Sequence, residues 1–179
     1  MEEISAISHT APRRFESQLQ QRVYAGLSKL GVSFSRLECD PAITMEQCEA
    51  VSEKLGAHVV KTLFLCNRQK TKFYLLIMSG AKPFVTRDFS TALGISRVSF
   101  APVELLAQML STPVGAASPL SVFADAENLV QVVVDKDVMD DDCIACPDGT
   151  TTNYLKVSLC DILDKVFPHT GHKYTVIKL

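Results

Sequence analysis

Two runs of strand-favouring residues, at 59–66 and 73–78, are joined by the polar stretch 67–72 and constrain this chain more than any other feature. Such a pairing predicts a β-hairpin central to a sheet. Helical patterns surround it. Phe15, Leu19, Val23, Leu27 and Leu30 recur at helical spacing, and Gly31 follows as a terminating glycine. Thr44-Met45-Glu46-Gln47 has the form of a capping box and predicts a helix running to Leu55. Further helices are expected over 87–93, ended by Gly94, and from Pro102 to Leu110. Short strands are expected over 32–38, 97–100 and 154–157, and 121–123 is expected to pair with 129–134 around a turn at 125–128. Ser158 is the expected cap of a last helix, with Pro168 just beyond its end. The class is therefore α+β, as one domain over 13–179 behind a flexible N-terminal extension at 1–12.

Lys61 interrupts the apolar run Val59-Val60-Lys61-Thr62-Leu63-Phe64-Leu65, where an ammonium group is costly to place. A head group reaching water from a strand edge and a head group serving a pocket both satisfy this pattern. The second candidate is the small-residue loop Gly115-Ala116-Ala117-Ser118-Pro119, which can bring backbone N–H groups close to a ligand. Ser118 has no His and acid in a recognisable setting, so it is not read as a nucleophile.

Net charge is −2 over 179 residues, which argues against coating long nucleic acids such as DNA but not against contact with one end of an RNA. Lysine and arginine concentrate between Lys54 and Arg97, and acids between Asp135 and Asp148. Arg68, Lys70 and Lys72 either form part of a basic face or solvate the hairpin turn. No apolar stretch is long enough to span a bilayer, and Met1-Glu2-Glu3 lacks the features of a secretory signal, so a cytoplasmic protein without membrane contact is expected. The six cysteines are expected to be reduced. Cys143-Ile144-Ala145-Cys146 leaves a zinc or redox module open, although no second CxxC accompanies it and no metal is expected.

From about Phe15 to Phe167 the chain resembles the YbaK-like aminoacyl-tRNA editing domains, closest to the branch associated with prolyl-tRNA synthetase. The resemblance is carried by Leu30-Gly31-Val32, Asp40-Pro41-Ala42-Ile43-Thr44, Val60-Lys61-Thr62-Leu63-Phe64-Leu65, Gly115-Ala116-Ala117-Ser118-Pro119-Leu120 with Asp125, and Val157-Ser158 before Asp161-Ile162-Leu163. It implies a strongly curved mixed sheet, nearly a barrel, wrapped by helices. It also implies a pocket between the lysine strand and the glycine-proline loop, and a cofactor-free hydrolase that removes alanine from proline-specific tRNA. Lys61 would then hold the carbonyl or terminal ribose of the ester. Gly115, Ala116, Ala117, Ser118 and Pro119, with Thr44, Thr62 and Cys146, would form the substrate site. The implied partners are the acceptor end of aminoacylated tRNA(Pro) and prolyl-tRNA synthetase, in cis or in trans.

The chain departs from the family pattern at three points: Thr62 replaces an asparagine, Cys146 before Pro147 replaces a histidine, and Asp40 replaces a histidine. Cysteine or serine therefore stay open as the amino acid removed, as does a non-catalytic relative that binds tRNA or a synthetase. Between Pro147 and Ser158 the correspondence slips, and Asp148, Gly149, Thr150 and Asn153 receive no individual role.

Overall fold

In the computed structural model, which describes residues 4–179, the expected hairpin is β2 (Val60–Asn67) paired antiparallel with β3 (Phe73–Ser79). Asn67 fastens the connection, its side-chain Oδ1 accepting the N–H groups of Thr71 and Lys72. β3 is the middle strand of a five-stranded sheet in the order β4-β2-β3-β5-β8. Here β4 is Val98–Phe100, β5 is Val130–Asp135 and β8 is Tyr174–Ile177, and the β3-β5 and β5-β8 pairs are parallel. A second, antiparallel sheet is ordered β1-β7-β6, from Phe34–Glu38, Asn153–Ser158 and Cys143–Pro147. The two sheets touch through a bridge between Val59 and Ala145. The class is mixed α+β as expected, but the near-barrel is corrected: the strands form two separate sheets, neither of them closed.

Strand alternation sorts the core. Val60 and Phe64 of β2, Leu75 and Ile77 of β3, and Val132 and Val134 of β5 face inward to meet Ile144 and Cys146 of β6 and Leu155 and Val157 of β7. Helix α1 (Gln18–Lys29) covers this layer with Leu19, Val23 and Leu27. Ser17 caps its start by accepting the Gln20 N–H, and Gly31, with φ of 64°, follows its end. On the outer face of the large sheet, Leu65, Tyr74, Leu76 and Met78 pack against Phe89 of α3 (Thr86–Leu93). Helix α2 (Glu49–Leu55) packs Val51 and Leu55 on the small sheet, and α4 (Val103–Leu110) buries Leu106 and Leu110 in the main core.

Three expectations are revised. Residues Pro119–Ala124 form a 3-10 helix rather than a strand. Pro119 sits in its first turn, Ser118 Oγ accepts the Leu120 N–H, and Ser121 Oγ accepts the Ser118 N–H, so local caps outweigh strand propensity. β6 occupies the Cys143-Cys146 segment that the sequence presents as a CxxC motif. The last helix continues through Pro168, as α5 (Leu159–Asp161), a π-helical stretch Ile162–Val166, and α6 (Phe167–His169). Proline is tolerated because it occupies the opening of α6, where the wider π turn has already displaced the usual backbone pairing.

Of the N-terminal 12 residues, Met1-Glu2-Glu3 lie outside the described residues. Ser5 and Ser8 hydrogen-bond along β1, the first with its N–H to Glu38 O and the second through both backbone groups to Arg36. Among the described residues no helix is long and apolar enough to cross a membrane.

Candidate functional site

The site begins with a gap in strand pairing. Outside β2, β4 covers only Leu65 to Asn67, and the bridge to Ala145 touches only Val59. Lys61, Thr62 and Leu63 lie on the uncovered edge between them. Phe64 O turns outward to accept the Ala101 N–H. Antiparallel alternation therefore turns the N–H and C=O of Thr62 the same way, into the gap. A cavity of about 460 Å³ opens there. Phe100 and Ala101, Pro147 and Tyr154, and Gly115 and Ala117 of the loop line it together with the strand.

Lys61 and Thr62 lie on opposite faces of β2. Thr62 pairs with Ile77 on the inner face, and Lys61 pairs with Met78 on the outer face. Both line the cavity because it runs along the strand edge, which side chains from either face can reach. The half-buried Lys61 donates from Nζ to Lys82 O at 2.6 Å. Lys82 is pinned in turn, its own ammonium reaching Asp135 at 2.8 Å and Asp137 at 2.7 Å. One of the three Lys61 donors is thereby fixed and two are left for a ligand. The Thr62 hydroxyl is buried and finds no hydrogen-bond partner among the described residues.

The loop divides into an exposed lip and a buried footing. Gly115 has φ of 87°, and a Cβ there would meet Ile43 Cγ2 at 2.9 Å, so glycine allows both the turn and the close packing. The Ala116 N–H is spent on Pro113 O and the Ser118 N–H on Ser121 Oγ. The N–H groups of Gly115 and Ala117, the two loop residues lining the cavity, have no hydrogen-bond partner among the described residues. Ala116, Ser118 and Pro119 lie buried behind that lip. Thr44 is exposed and acts locally: its Oγ1 accepts the Gln47 N–H, while Gln47 Oε1 accepts the N–H groups of Ile43 and Thr44. This capping box holds Ile43 and Met45 against the cavity.

Cys146 is fully buried, and Pro147 after it forms the wall. Burial pushes its thiol up to about 12, against the opposing effect of a hydrogen bond with Ser118, so it stays protonated at neutral pH. Cys143 and Cys146 stand three apart on one extended strand and point to opposite faces, which no single disulfide or chelated ion spans. The late loop acquires roles that the sequence left unassigned. Asp148, buried behind Pro147, accepts hydrogen bonds from Gln20 Nε2 and Tyr24 Oη, each at 2.8 Å, and from the N–H and hydroxyl of Thr150. Burial raises its carboxyl above the ordinary range despite these donors. Asn153 Oδ1 accepts from Arg36 Nη1 at 2.8 Å. These ties fasten the wall to α1 and β1.

Tyr154, Met45, Leu106 and Phe100 also line the cavity and were missed in sequence. They come from β4, α4, β7 and the turn before α2, and share no local pattern. Tyr154 is oriented by donating to Ala42 O at 2.6 Å. No carboxylate or imidazole lines the cavity among the described residues. The arrangement can therefore align and polarise an ester, with one ammonium group, the Thr62 hydroxyl and backbone donors in a largely apolar enclosure.

A family model for the aminoacyl-tRNA editing domain matches residues 39–165. The prolyl-tRNA editing protein ProX of Acetoanaerobium sticklandii is 28% identical over 160 residues, which cover 89% of this chain and 97% of that protein. The prolyl-tRNA synthetase associated domain-containing protein 1 of Danio rerio is 26% identical over 120 residues, covering 67% of this chain and 65% of that protein. A solved structure described as a candidate trans-editing enzyme for prolyl-tRNA synthetase superposes with a TM-score of 0.67 at 16% identity, covering 92% of this chain and 99% of that one, which shows a shared fold.

Proposed function

The chain belongs to the aminoacyl-tRNA editing domain family and is a deacylating hydrolase, and on that premise we propose that it clears alanine from mischarged proline-specific tRNA. The observation that carries this reading is the cavity at the uncovered edge of β2, lined by Lys61 and Thr62 together with Gly115 and Ala117, whose N–H groups have no partner among the described residues. The substrate assignment draws support from ProX, whose name describes a prolyl-tRNA editing protein.

In this reading the aminoacyl ester enters the cavity with its carbonyl oxygen toward the loop N–H groups, which stabilise the charge that develops there. Lys61, anchored on Lys82 O, holds the ester or the ribose with its remaining donors. Water adds to the carbonyl carbon, and the bond from that carbon to the ribose oxygen breaks. One proton of that water ends on the ribose oxygen and the other passes to solvent, as the amino acid leaves as its carboxylate. With no carboxylate or imidazole at hand, alignment and charge stabilisation supply the acceleration. A wall of Ile43, Val60, Leu106 and Tyr154 suits a small apolar side chain, and in this reading the sparing of proline rests on shape. The domain acts alone or beside prolyl-tRNA synthetase, on the acceptor end of the tRNA.

The test is deacylation of tRNA(Pro) charged in turn with alanine, cysteine, serine and proline, by the intact protein and by Lys61→Ala. Loss of alanine, sparing of proline and collapse in the variant are expected. Equal hydrolysis of prolyl-tRNA, or full activity in Lys61→Ala, refutes the proposed pocket.

A further inference from the structure

The mouth of the cavity is apolar where solvent would favour polar residues. Ile43, Phe100, Val103 and Val114 all line it, and each is more than half exposed. A cluster of exposed apolar side chains around one opening marks a surface that something covers. Phe100 stands out. It ends the short edge strand β4, lies 58% exposed, and is the exposed aromatic among the cavity-lining residues, since Phe64 and Tyr154 are buried.

Its ring is held in place. Phe84 and Phe100 form a T-shaped pair, with centroids 5.7 Å apart and planes at 72°, and Phe84 forms a second T-shaped pair with the buried Phe89. A T-shaped neighbour steadies the ring, and more than half of Phe100 stays open to solvent. The result is a pre-oriented aromatic surface beside a site that, on the editing reading, takes an ester at the end of a nucleic acid.

We propose that Phe100 is the platform on which the terminal adenine of the tRNA acceptor end stacks, with Val103 of α4 beside it. This rests on the editing reading and extends it from the ester to the nucleoside that carries it. The covalent connection demands such a neighbour: with the aminoacyl group inside the cavity, the ribose lies at the mouth and the base next to the rim. Bases stack on aromatic rings through a π-face that every base has, so the platform would hold the end of the chain without reading its sequence. It also explains an exposed phenylalanine in a short edge strand, where a polar residue would serve a free surface better.

The experiment compares the protein with Phe100→Ala, Phe100→Leu and Phe100→Trp on alanyl-tRNA(Pro), and on the same substrate with the terminal nucleobase removed. Phe100→Ala should raise KM by about 5- to 150-fold, the range a stacked base is worth, with the loss falling on KM rather than kcat. Phe100→Trp should restore it and Phe100→Leu should not. Without the base, all four proteins should become equally poor. An unchanged KM in Phe100→Ala, or a loss that persists on the abasic substrate, overturns the proposal while leaving the editing reading intact. If the unmodified protein hydrolyses no aminoacyl-tRNA, that reading fails, and affinity for uncharged strands decides the platform separately: equal binding of adenosine-ended and abasic strands overturns it.

Discussion

Replacing Thr62 by valine should make this protein more stable and less active. The Thr62 hydroxyl is buried on the inner face of β2, opposite Ile77, with no hydrogen-bond partner among the described residues. Leaving such a group unsatisfied costs about 1–3 kcal/mol, whereas valine keeps the shape and suits a strand at least as well. Part of that gain is lost if a rotamer change reaches a partner, so a net stabilisation of about 1 kcal/mol is expected. For a domain of this size that corresponds to a rise in Tm of about 2–4 °C. If the hydroxyl meets its partner only when substrate fills the cavity, that bond is worth about 0.5–1.5 kcal/mol, and kcat/KM falls about 2- to 10-fold. Differential scanning calorimetry and deacylation kinetics on one preparation measure both. A lower Tm would show that the hydroxyl is paired in the free protein and would refute the reasoning. A higher Tm with unchanged kcat/KM would remove Thr62 from the substrate site.

Gly115→Ala forces a side chain into a left-handed backbone and against Ile43, and should cost about 1–2 kcal/mol by denaturant melt while also lowering kcat/KM as the lip shifts; an unaffected enzyme would show that the loop does not set the site. Native protein treated with iodoacetamide near neutral pH should be alkylated at the exposed Cys160 and spared at Cys146, whose thiol is pushed up to about 12 by burial; peptide mapping that finds Cys146 modified at a similar rate would show that the core opens there. Asp125 is buried, which alone would raise its carboxyl, but hydrogen bonds from His172 and from the N–H groups of Leu129 and Val130 hold it below its ordinary 3.8. The stability it contributes is therefore complete above that value and lost as pH falls through the folded one. Asp125→Asn should cost about 1.5–3 kcal/mol at neutral pH, and the gap to the unmodified protein should narrow below about pH 4; a gap that does not vary with pH in urea melts would exclude the charge as its source.

Residues that act on near neighbours were legible in the sequence. The β2-β3 hairpin and α1 ended by Gly31 depend on hydrogen bonds and periodicity within a few positions, as do the Thr44-Gln47 hydrogen bonds, although these close a turn and the helix expected to start there begins only at Glu49. Lys61 drew attention for a similar reason, as a charge among apolar neighbours. Where two local signals competed, the reading failed. Residues at 121–123 have strand-like composition, but Ser118, Pro119 and Ser121 bend them into a 3-10 turn. β6 was hidden because both its faces are covered, so it shows no alternation, and its cysteines suggested chemistry instead.

By itself, the sequence determined the class of fold, the hairpin, the lysine in its first strand and the loop with a glycine at its lip. It also held the ordered set of segments that marks the editing domains. Tertiary structure alone decided that the strands divide into two sheets and that the edge of β2 is left bare between β4 and the bridge to Ala145. That gap is a difference between pairings made by segments far apart in the chain, and no short window of residues encodes it. The same holds for Phe100, placed beside Phe84 and the cavity mouth by the course of β4. A cavity is formed by what several elements leave unfilled, so its shape becomes definite only when all of them are in place.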